Sequence, residues 1–254
     1  GSVRPTVSVI MNCLNGVRYL SEALDSVYAQ TFPDWEIIFW DDGSTDFSAA
    51  LARSYGAKLR YFRGPGGCPL GESRNLAFAQ AEGTYLAMLD VDDTWEREKL
   101  MRQVGYLDMH PETALLATDC WFIDAHGHRG GTFLGRTPFP DGDPYRALLT
   151  GSNFLASPTL MFRGNAFRCL SSYHYAELFD LCVQIAKYYP IAALPQILAS
   201  YRVHPGNRGG TGCLGMTREV LDVMKRNRSG APISQHVREW LLSARYGWQA
   251  IAHS

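Results

Sequence analysis

The sequence predicts an α/β protein built on a doubly wound, mostly parallel, Rossmann-like sheet. Three observations support this prediction. Short apolar runs alternate with helical patterns through the first half of the chain, and this alternation is typical of βαβ units. Polar residues collect directly after three of these runs, where ligands of such sheets bind. The length of 254 residues and the hydrophobic content of 46% suit one large α/β domain, alone or with a small appendage.

In the first half, apolar runs too short for helices predict strands, and apolar residues at helical spacing predict the helices between them. The predicted strands cover residues 7–11, 35–40, 58–62 and 84–89. The predicted helices cover residues 20–28, 46–55 and 73–81, and a further helix starts near Trp95. A glycine and proline loop at residues 64–67 separates the third strand from the third helix.

The second half has a less regular pattern. Strands are predicted over residues 113–122, 157–162 and 191–201, and a helix over residues 177–187. Residues 206–212 form a glycine-rich loop, and helices over residues 216–228 and 233–252 end the chain. The pattern therefore predicts that the second half completes the sheet and that helices follow it.

Polar residues follow three of the predicted strands. Asn12 and Asn15 come after the first strand, residues 41–46 after the second and residues 90–93 after the fourth. The carboxyl ends of parallel strands meet at one edge of a sheet, so these groups are expected to lie together. Three such clusters predict a site rather than three independent turns.

The segment Asp90-Val91-Asp92-Asp93 places three carboxylates at the end of an apolar run. In an extended chain residues i and i+2 point to the same side, so Asp90 and Asp92 can face one site. Carboxylate oxygens bind Mg²⁺ and Mn²⁺, which commonly also bind substrate phosphates. The alternative is a solvated turn with a capping aspartate before the next helix.

Composition excludes several classes of protein. The net charge of −1 leaves no basic excess to neutralise phosphates, which argues against nucleic acid as the main partner. No apolar run approaches the roughly 20 residues of a membrane-spanning helix. The six cysteines show no C-x-x-C spacing and no clustering with histidines, so zinc is not expected. A cytoplasmic protein with reduced thiols is expected, with the inner face of the membrane as an alternative location.

Six segments in order along the chain resemble the motifs of one family. They are Val7-Ser8-Val9-Ile10 with Asn15, Leu24-x-Ser26-Val27-x-x-Gln30, Asp41-Asp42-Gly43-Ser44-Thr45-Asp46, Gly71-x-x-Arg74-Asn75, Asp90-x-Asp92-Asp93, and Tyr201-Arg202-x-His204. With these motifs the sequence resembles glycosyltransferase family 2, whose members have the nucleotide-diphospho-sugar transferase (GT-A) fold. The resemblance covers roughly residues 5–208.

This resemblance implies a nucleotide-sugar donor, with UDP as the expected nucleotide. Asp42 would accept a hydrogen bond from a uracil N–H, and Asn12 and Leu14 would line the base pocket. Arg74 would bind the donor phosphates or neighbouring carboxylates, since it follows a glycine-rich loop near a helix N-terminus. Asp90 would contact the ribose or a metal-bound water, beside Val91.

The same resemblance implies a divalent metal, Mn²⁺ or Mg²⁺. Asp92 would coordinate this metal, which would bridge both donor phosphates and act as a Lewis acid on the leaving diphosphate. His204 would be a further ligand of the metal or the diphosphate. An incidental loop histidine is the alternative for His204.

The family supplies its general base as an aspartate in an acidic pair that opens a helix. Here Glu177 matches the first acid, and Leu178 stands at the position of the base. Glu177 is the expected base, and Asp180, three residues on, is the alternative. Two further explanations remain open: an acceptor such as a thiol that needs little help, or an inactive protein.

The expected activity is metal-dependent, inverting transfer of one sugar from a UDP-sugar to a saccharide, a lipid-linked glycan, a peptide or a natural product. A catalytically inactive nucleotide-sugar-binding protein is the main alternative. A sugar-phosphate nucleotidyltransferase is less expected, because its glycine-rich signature is absent after the first strand.

Two regions are expected along the chain. Residues 3–212 would form the GT-A domain, with residues 3–110 binding the nucleotide sugar and residues 111–212 facing the acceptor. Residues 213–254 would form a C-terminal helical extension that carries no family motif. Packing of these helices against a second copy would give a homodimer.

Overall fold

The computed structural model describes residues 4–164, 167–169, 172–207 and 213–227. Nine strands are present among them: β1 Val7–Cys13, β2 Trp35–Asp41, β3 Leu59–Arg63, β4 Tyr85–Met88, β5 Thr94–Trp95, β6 Leu115–Ile123, β7 Arg129–Thr132, β8 Met161–Arg163 and β9 Ile191–Arg202. The helices are α1 Val17–Tyr28, α2 Ser48–Arg53, α3 Leu70–Phe78, α4 Lys99–Met109, α5 Phe133–Arg136, α6 Pro144–Leu149, α7 Glu177–Tyr188 and α8 Cys213–Asn227. A short 3₁₀ turn covers Ser157–Thr159.

All nine strands belong to one sheet, in the order β3-β2-β1-β4-β8-β6-β9-β5, with β7 paired to β6. The first four strands are parallel, and β1 runs between β2 and β4. Register places Val7 opposite Trp35 and Cys13 opposite Asp41, so the ends of β1 and β2 coincide. This arrangement confirms the predicted α/β fold and brings the polar segments after β1, β2 and β4 to one edge.

The second half extends the sheet with strands of both directions. Strand β8 is antiparallel to both of its neighbours, β4 and β6, whereas β6 and β9 are parallel. Strand β8 therefore joins the parallel first half to the mixed second half.

Helices cover both faces of the sheet, so the central strands are buried on both sides. Ile10 of β1 faces a cluster that includes side chains of α3, α7 and α8. Val9 and Met11 face a second cluster with side chains of α1 and α4. Continuous burial on both faces explains why these strands are apolar runs instead of alternating ones.

The prediction of a helix start near Trp95 is wrong. Trp95 lies in β5, whose two residues pair antiparallel with Ser200 and Ala199 of β9. Its indole Nε1 donates to the carbonyl oxygen of Pro158 at 2.8 Å, and α4 begins only at Lys99. Both partners of Trp95 are distant in sequence, so no local pattern announces this strand.

Smaller differences occur elsewhere. The predicted strand over residues 157–162 begins as the 3₁₀ turn and becomes strand only at Met161. The predicted helix over residues 233–252, and residues 208–212 of the glycine-rich loop, lie outside the described residues.

Cys13, Cys120, Cys169 and Cys182 are buried free thiols, and Cys68 is a half-buried free thiol. Burial raises the pKa of the Cys182 thiol to about 12. No helix in the described ranges is long and apolar enough to cross a bilayer.

Candidate active site

A cleft of about 880 Å³ opens at the sheet edge where β1, β2 and β4 end. The far wall is formed by the start of α7, the end of β9 and two residues of α8. Nine of the ten predicted site residues line it: Asn12, Leu14, Asp42, Arg74, Asp90, Val91, Asp92, Glu177 and His204. The tenth, Asp180, does not line the cleft.

The last residues of β1 and the residues that follow β1 and β2 form one end of the cleft. Asn12 is buried, and neither polar atom of its amide has a hydrogen-bond partner within the described chain. An unsatisfied buried amide is costly, so this group is suited to a polar ligand. Leu14 beside it is 45% exposed, which leaves an apolar surface at the cleft.

The two neighbouring aspartates at the end of β2, Asp41 and Asp42, have different surroundings. Asp41 accepts from the backbone N–H of Ser44 at 2.7 Å and from the Tyr61 hydroxyl at 2.5 Å. These bonds fix the turn, in which Gly43 has a φ of 93°. Asp42 is buried and lines the cleft. Asp41 therefore holds the loop in place, and Asp42 faces the site.

The aspartate loop, residues 90–93 after β4, is fixed to the end of β9. Asp93 is buried and accepts from the backbone N–H of Arg202 at 2.8 Å. Burial, followed by the charges of Asp92 and Asp90, raises the pKa of the Asp93 carboxyl well above its usual value. Arg202 in turn donates from Nε to the Asp92 carbonyl oxygen at 2.8 Å. Asp93 and Arg202 thus set the position of the other two aspartates.

Asp92 and His204 lie side by side. The His204 Nε2 atom is 2.9 Å from Asp92 Oδ2, and Asn207 Nδ2 donates to the same oxygen at 3.2 Å. The ring of Tyr19 packs on His204 with centroids 5.0 Å apart. No group of three or more metal-binding side chains occurs within the described ranges. One carboxylate and one imidazole nonetheless fit a cation that takes its other ligands from substrate phosphates.

Arg74 of α3 joins two carboxylates inside the cleft wall. Its Nη2 donates to Asp90 Oδ1 at 2.9 Å and its Nε to Glu177 Oε1 at 3.0 Å. Only 3% of Arg74 is exposed. Burial alone lowers the pKa of Arg74, but the charges of Asp90 and Glu177 outweigh it and raise the pKa above its usual value. The sequence predicted that Arg74 would bind donor phosphates or neighbouring carboxylates, and in the structure it binds two carboxylates.

Glu177 and Asp180 face different surroundings, although both belong to the first turn of α7. Glu177 lines the cleft, and its Oε2 has no hydrogen-bond partner in the described part of the chain. Asp180 is fully buried and accepts from Arg226 at 2.9 Å and from Gln184 at 2.6 Å. The structure therefore brings Glu177 to the site and leaves Asp180 in a contact between α7 and α8.

Several site residues were not predicted from the sequence. Ser157 donates from Oγ to Asp90 Oδ2 at 2.8 Å across 67 residues of sequence. Tyr19 and Asn207 position His204 and Asp92. Asn207 lies three residues after His204 of the Tyr201-Arg202-x-His204 motif, so it could have been predicted as a neighbour of the site. Ser157 has no comparable motif beside it.

The sequence matches the family described as Glycosyl transferase family 2 over residues 8–170. It is 32% identical over 173 residues to the putative glycosyltransferase EpsE of Bacillus subtilis, covering 66% of this chain and 60% of that protein. It is 34% identical over 109 residues to the putative teichuronic acid biosynthesis glycosyltransferase TuaG of the same species, covering 41% of this chain and 42% of that protein.

Solved structures show the same fold. The crystal structure of S. aureus TarS in complex with UDP has a TM-score of 0.67 at 22% identity, covering 94% of this chain and 71% of that chain. The mannosyltransferase PcManGT of Pyrobaculum calidifontis, in complex with GDP-Man and Mn²⁺, has a TM-score of 0.65 at 17% identity, covering 99% and 76%.

The chain spans 60% of EpsE and smaller shares of several other relatives, so it corresponds to part of their length. The family match covers well over half of this chain and contains the ends of β1, β2 and β4 that build the cleft. The chain belongs to glycosyltransferase family 2.

Proposed function

We propose that this protein is a metal-dependent, inverting glycosyltransferase that moves one sugar from a UDP-sugar to an acceptor. One observation carries the proposal. Arg74 binds Asp90 on the side of the aspartate loop and Glu177 on the opposite wall. The buried guanidinium of Arg74 thus fixes the distance between the expected donor site and the expected base.

The nucleotide would lie at the end of the cleft formed by β1 and β2. The Asp42 carboxylate would accept from a uracil N–H, and the unsatisfied amide of Asn12 would bind the base or the ribose. UDP and GDP-Man occur in complexes of the two structural relatives, so a nucleotide diphosphate suits this fold. Asp42, as a pure acceptor, fits the N–H of uracil.

Asp92 and His204 would hold the divalent cation together with the diphosphate oxygens. When bound, such a cation supplies Lewis-acid stabilisation of the leaving diphosphate. The Mn²⁺ in the mannosyltransferase complex supports a metal at a site of this fold. Tyr19 and Asn207 keep the two ligands in place before the donor arrives.

Glu177 would act as the general base. Its Oε1 is held by Arg74, which leaves Oε2 to accept the proton of the acceptor hydroxyl or thiol. The acceptor atom would form its bond to the anomeric carbon as the bond to the diphosphate oxygen breaks. UDP would leave as the anion, and attack from the opposite face would invert the anomeric centre.

Calorimetric titration of UDP and of GDP, each with and without Mn²⁺, tests the donor site. We expect UDP to bind in the presence of Mn²⁺ and Asp92→Ala to abolish that binding. Asp141→Ala is the matched control, because Asp141 is an exposed carboxylate that does not line the cleft. Loss of binding in both variants, or equal binding in both, would contradict the assignment of Asp92.

Release of UDP from UDP-glucose, UDP-galactose and UDP-N-acetylglucosamine then tests turnover. Slow hydrolysis of at least one donor is expected without an acceptor, since water can take the acceptor's place. Binding of UDP with no release from any donor would support the alternative of an inactive binding protein. This alternative is considered because Leu178 stands at the position where the family has its base.

A further inference from the structure

The segment that leads into α7 is held by a side chain from another helix. Ala176 is the N-cap residue of α7 and makes no side-chain cap. Three successive backbone N–H groups, those of His174, Tyr175 and Ala176, instead donate to the carboxylate of Glu219 on α8. The distances are 3.0, 2.8 and 2.9 Å. The first residue after this segment is Glu177.

The contact involves both oxygens of Glu219. His174 N–H donates to Oε1, and the other two N–H groups donate to Oε2. Successive N–H groups that converge in this way form a concave site for an anion. Bonds from neutral donors to an ionised carboxylate are also among the stronger hydrogen bonds in proteins. Glu219 therefore fixes three consecutive peptide groups at once.

The opposite side of the same segment is bound by α3. Gly71 donates its backbone N–H to the Tyr173 carbonyl oxygen at 2.8 Å, and Arg74 donates to Glu177. Residues 173–177 are thus held between α3 and α8. Close packing supports this arrangement, because a Cβ on Gly215 of α8 would lie 2.6 Å from the Tyr175 ring.

We infer that Glu219 is a positioning residue for the glycosyl transfer step, acting on Glu177 through the backbone. This inference rests on the proposed function, in which Glu177 takes the acceptor's proton. Glu219 itself does not line the cleft and lies beyond the residues that match the family. Its role is to hold the first turn of α7 so that Glu177 Oε2 stays aligned with the acceptor atom.

The test compares Glu219→Gln with Asp222→Asn. Glutamine keeps the size of the side chain but has an NH2 group in place of one acceptor oxygen. This NH2 group cannot accept from the backbone N–H groups that face it. Asp222 lies three residues further along α8 and accepts from the Tyr173 hydroxyl and from Arg226. Both variants remove one negative charge from α8 near the same segment, and only the first loses the contact with the backbone before Glu177.

We expect Glu219→Gln to lower kcat for UDP release roughly 10- to 100-fold, since small misplacement of a reacting group costs this much. The KM for the UDP-sugar and the affinity for UDP with Mn²⁺ should stay at their wild-type values. Asp222→Asn should keep kcat near wild type. Amide hydrogen exchange of residues 173–177 should be faster in Glu219→Gln than in Asp222→Asn.

Equal kcat values in the two variants, with faster exchange in Glu219→Gln, would overturn the positioning role and leave the glycosyltransferase proposal standing. A raised donor KM with unchanged kcat would overturn it as well. A wild-type protein that releases no UDP from any UDP-sugar would overturn the proposed activity and, with it, this role of Glu219.

Discussion

Arg74 is a buried guanidinium that binds one carboxylate on each side of the cleft. Its planar fork allows two separate N–H donors to reach Asp90 and Glu177 at 2.9 and 3.0 Å. A lysine has one compact charge and cannot match both directions. Removal of one partner from a buried ion pair typically costs about 3–5 kcal/mol. The arginine therefore contributes both to the folded state and to the alignment of the site.

The two acids in the first turn of α7 should respond differently to neutralisation. Glu177→Gln should lower kcat about 10²- to 10⁴-fold, the range for loss of a general base. Its carbonyl oxygen can still accept from Arg74 Nε, so the affinity for UDP should stay unchanged. Asp180→Asn should instead lower the melting temperature, because it weakens the buried contact with Arg226. UDP release and thermal unfolding, measured on both variants, give the comparison.

The opposite pattern, with turnover lost in Asp180→Asn and kept in Glu177→Gln, would show that Glu177 is not the base.

At the residue scale, the sequence predicted that residues in recognisable motifs after strands, such as Asp42 and Asp92, would lie together, and both line the cleft. It did not predict Ser157 or Glu219. The partner of Ser157 is 67 residues away, and the partners of Glu219 are 43 to 45 residues away. Short motifs carry information about neighbours in sequence, whereas these contacts arise only when distant elements pack together.

At the scale of elements, the start of β4 is packed directly against β1. Gly83 donates its N–H to Ser8 Oγ at 2.8 Å, and that hydroxyl donates to Glu36 Oε1 at 2.6 Å. A Cβ on Gly83 would lie 2.5 Å from the Ser8 backbone nitrogen. The approach of β4 to β1, and so the position of the aspartate loop that follows, depends on the absence of a side chain here.

Gly83→Ala should destabilise the protein by about 1–3 kcal/mol, the usual cost of forcing atoms into a packed site. Gly105→Ala is the matched control. Gly105 lies inside α4, and nothing lies within 4 Å of the position of a Cβ there. Alanine in a helix interior is favoured over glycine by about 0.5–1 kcal/mol, so this variant should be more stable. Melting temperatures of the two variants that shift in the same direction would contradict this account.

Strands β1, β2 and β4 were predictable because fully buried parallel strands are continuous apolar runs between helical patterns. Strand β3 is only partly buried, and it was predicted from a short run between two helical patterns. Strand β5 was not predictable, since two residues leave no periodicity to detect and its partner is in β9. The 3₁₀ turn at Ser157 was predicted as strand for the same reason, since the strand that follows it has only three residues. The length of an element, more than its type, decided whether it could be predicted from the sequence.

At the scale of the whole molecule, a buried lysine lies in the core between α4 and the sheet. Lys99 is fully buried, and its Nζ donates to Gln103 Oε1 at 2.6 Å and lies 4.1 Å from the centre of the Trp95 ring. Gln103 donates to the carbonyl oxygens of Leu116 and Thr159 at 3.0 and 2.8 Å. This polar network joins α4 to β6 and to the 3₁₀ turn.

Lys99 should make stability depend on pH. Burial lowers the pKa of Lys99 well below its usual value, so the unfolded chain binds a proton that the folded protein releases. Between the lowered pKa and the unfolded value of about 10.4, stability therefore rises with pH. The melting temperature of the wild type, relative to Lys99→Met, should increase from about pH 8 to about pH 10.

Lys225→Met is the control, because Lys225 is an exposed lysine on α8. Its melting temperature should run parallel to that of the wild type across the same range. A parallel course for Lys99→Met as well would show that the buried amine does not change its protonation on unfolding.

The position of β8 in the sheet has a consequence for synthesis of the chain. Strand β4 pairs with β1 on one side and with β8 on the other, and 72 residues separate the end of β4 at Met88 from the start of β8 at Met161. While those residues are being added on the ribosome, a β4 already paired with β1 presents an open edge in the middle of the future sheet. An open edge is a template for pairing with another chain, and a short one limits that hazard. With four residues, β4 keeps the exposed template small until β8 closes it.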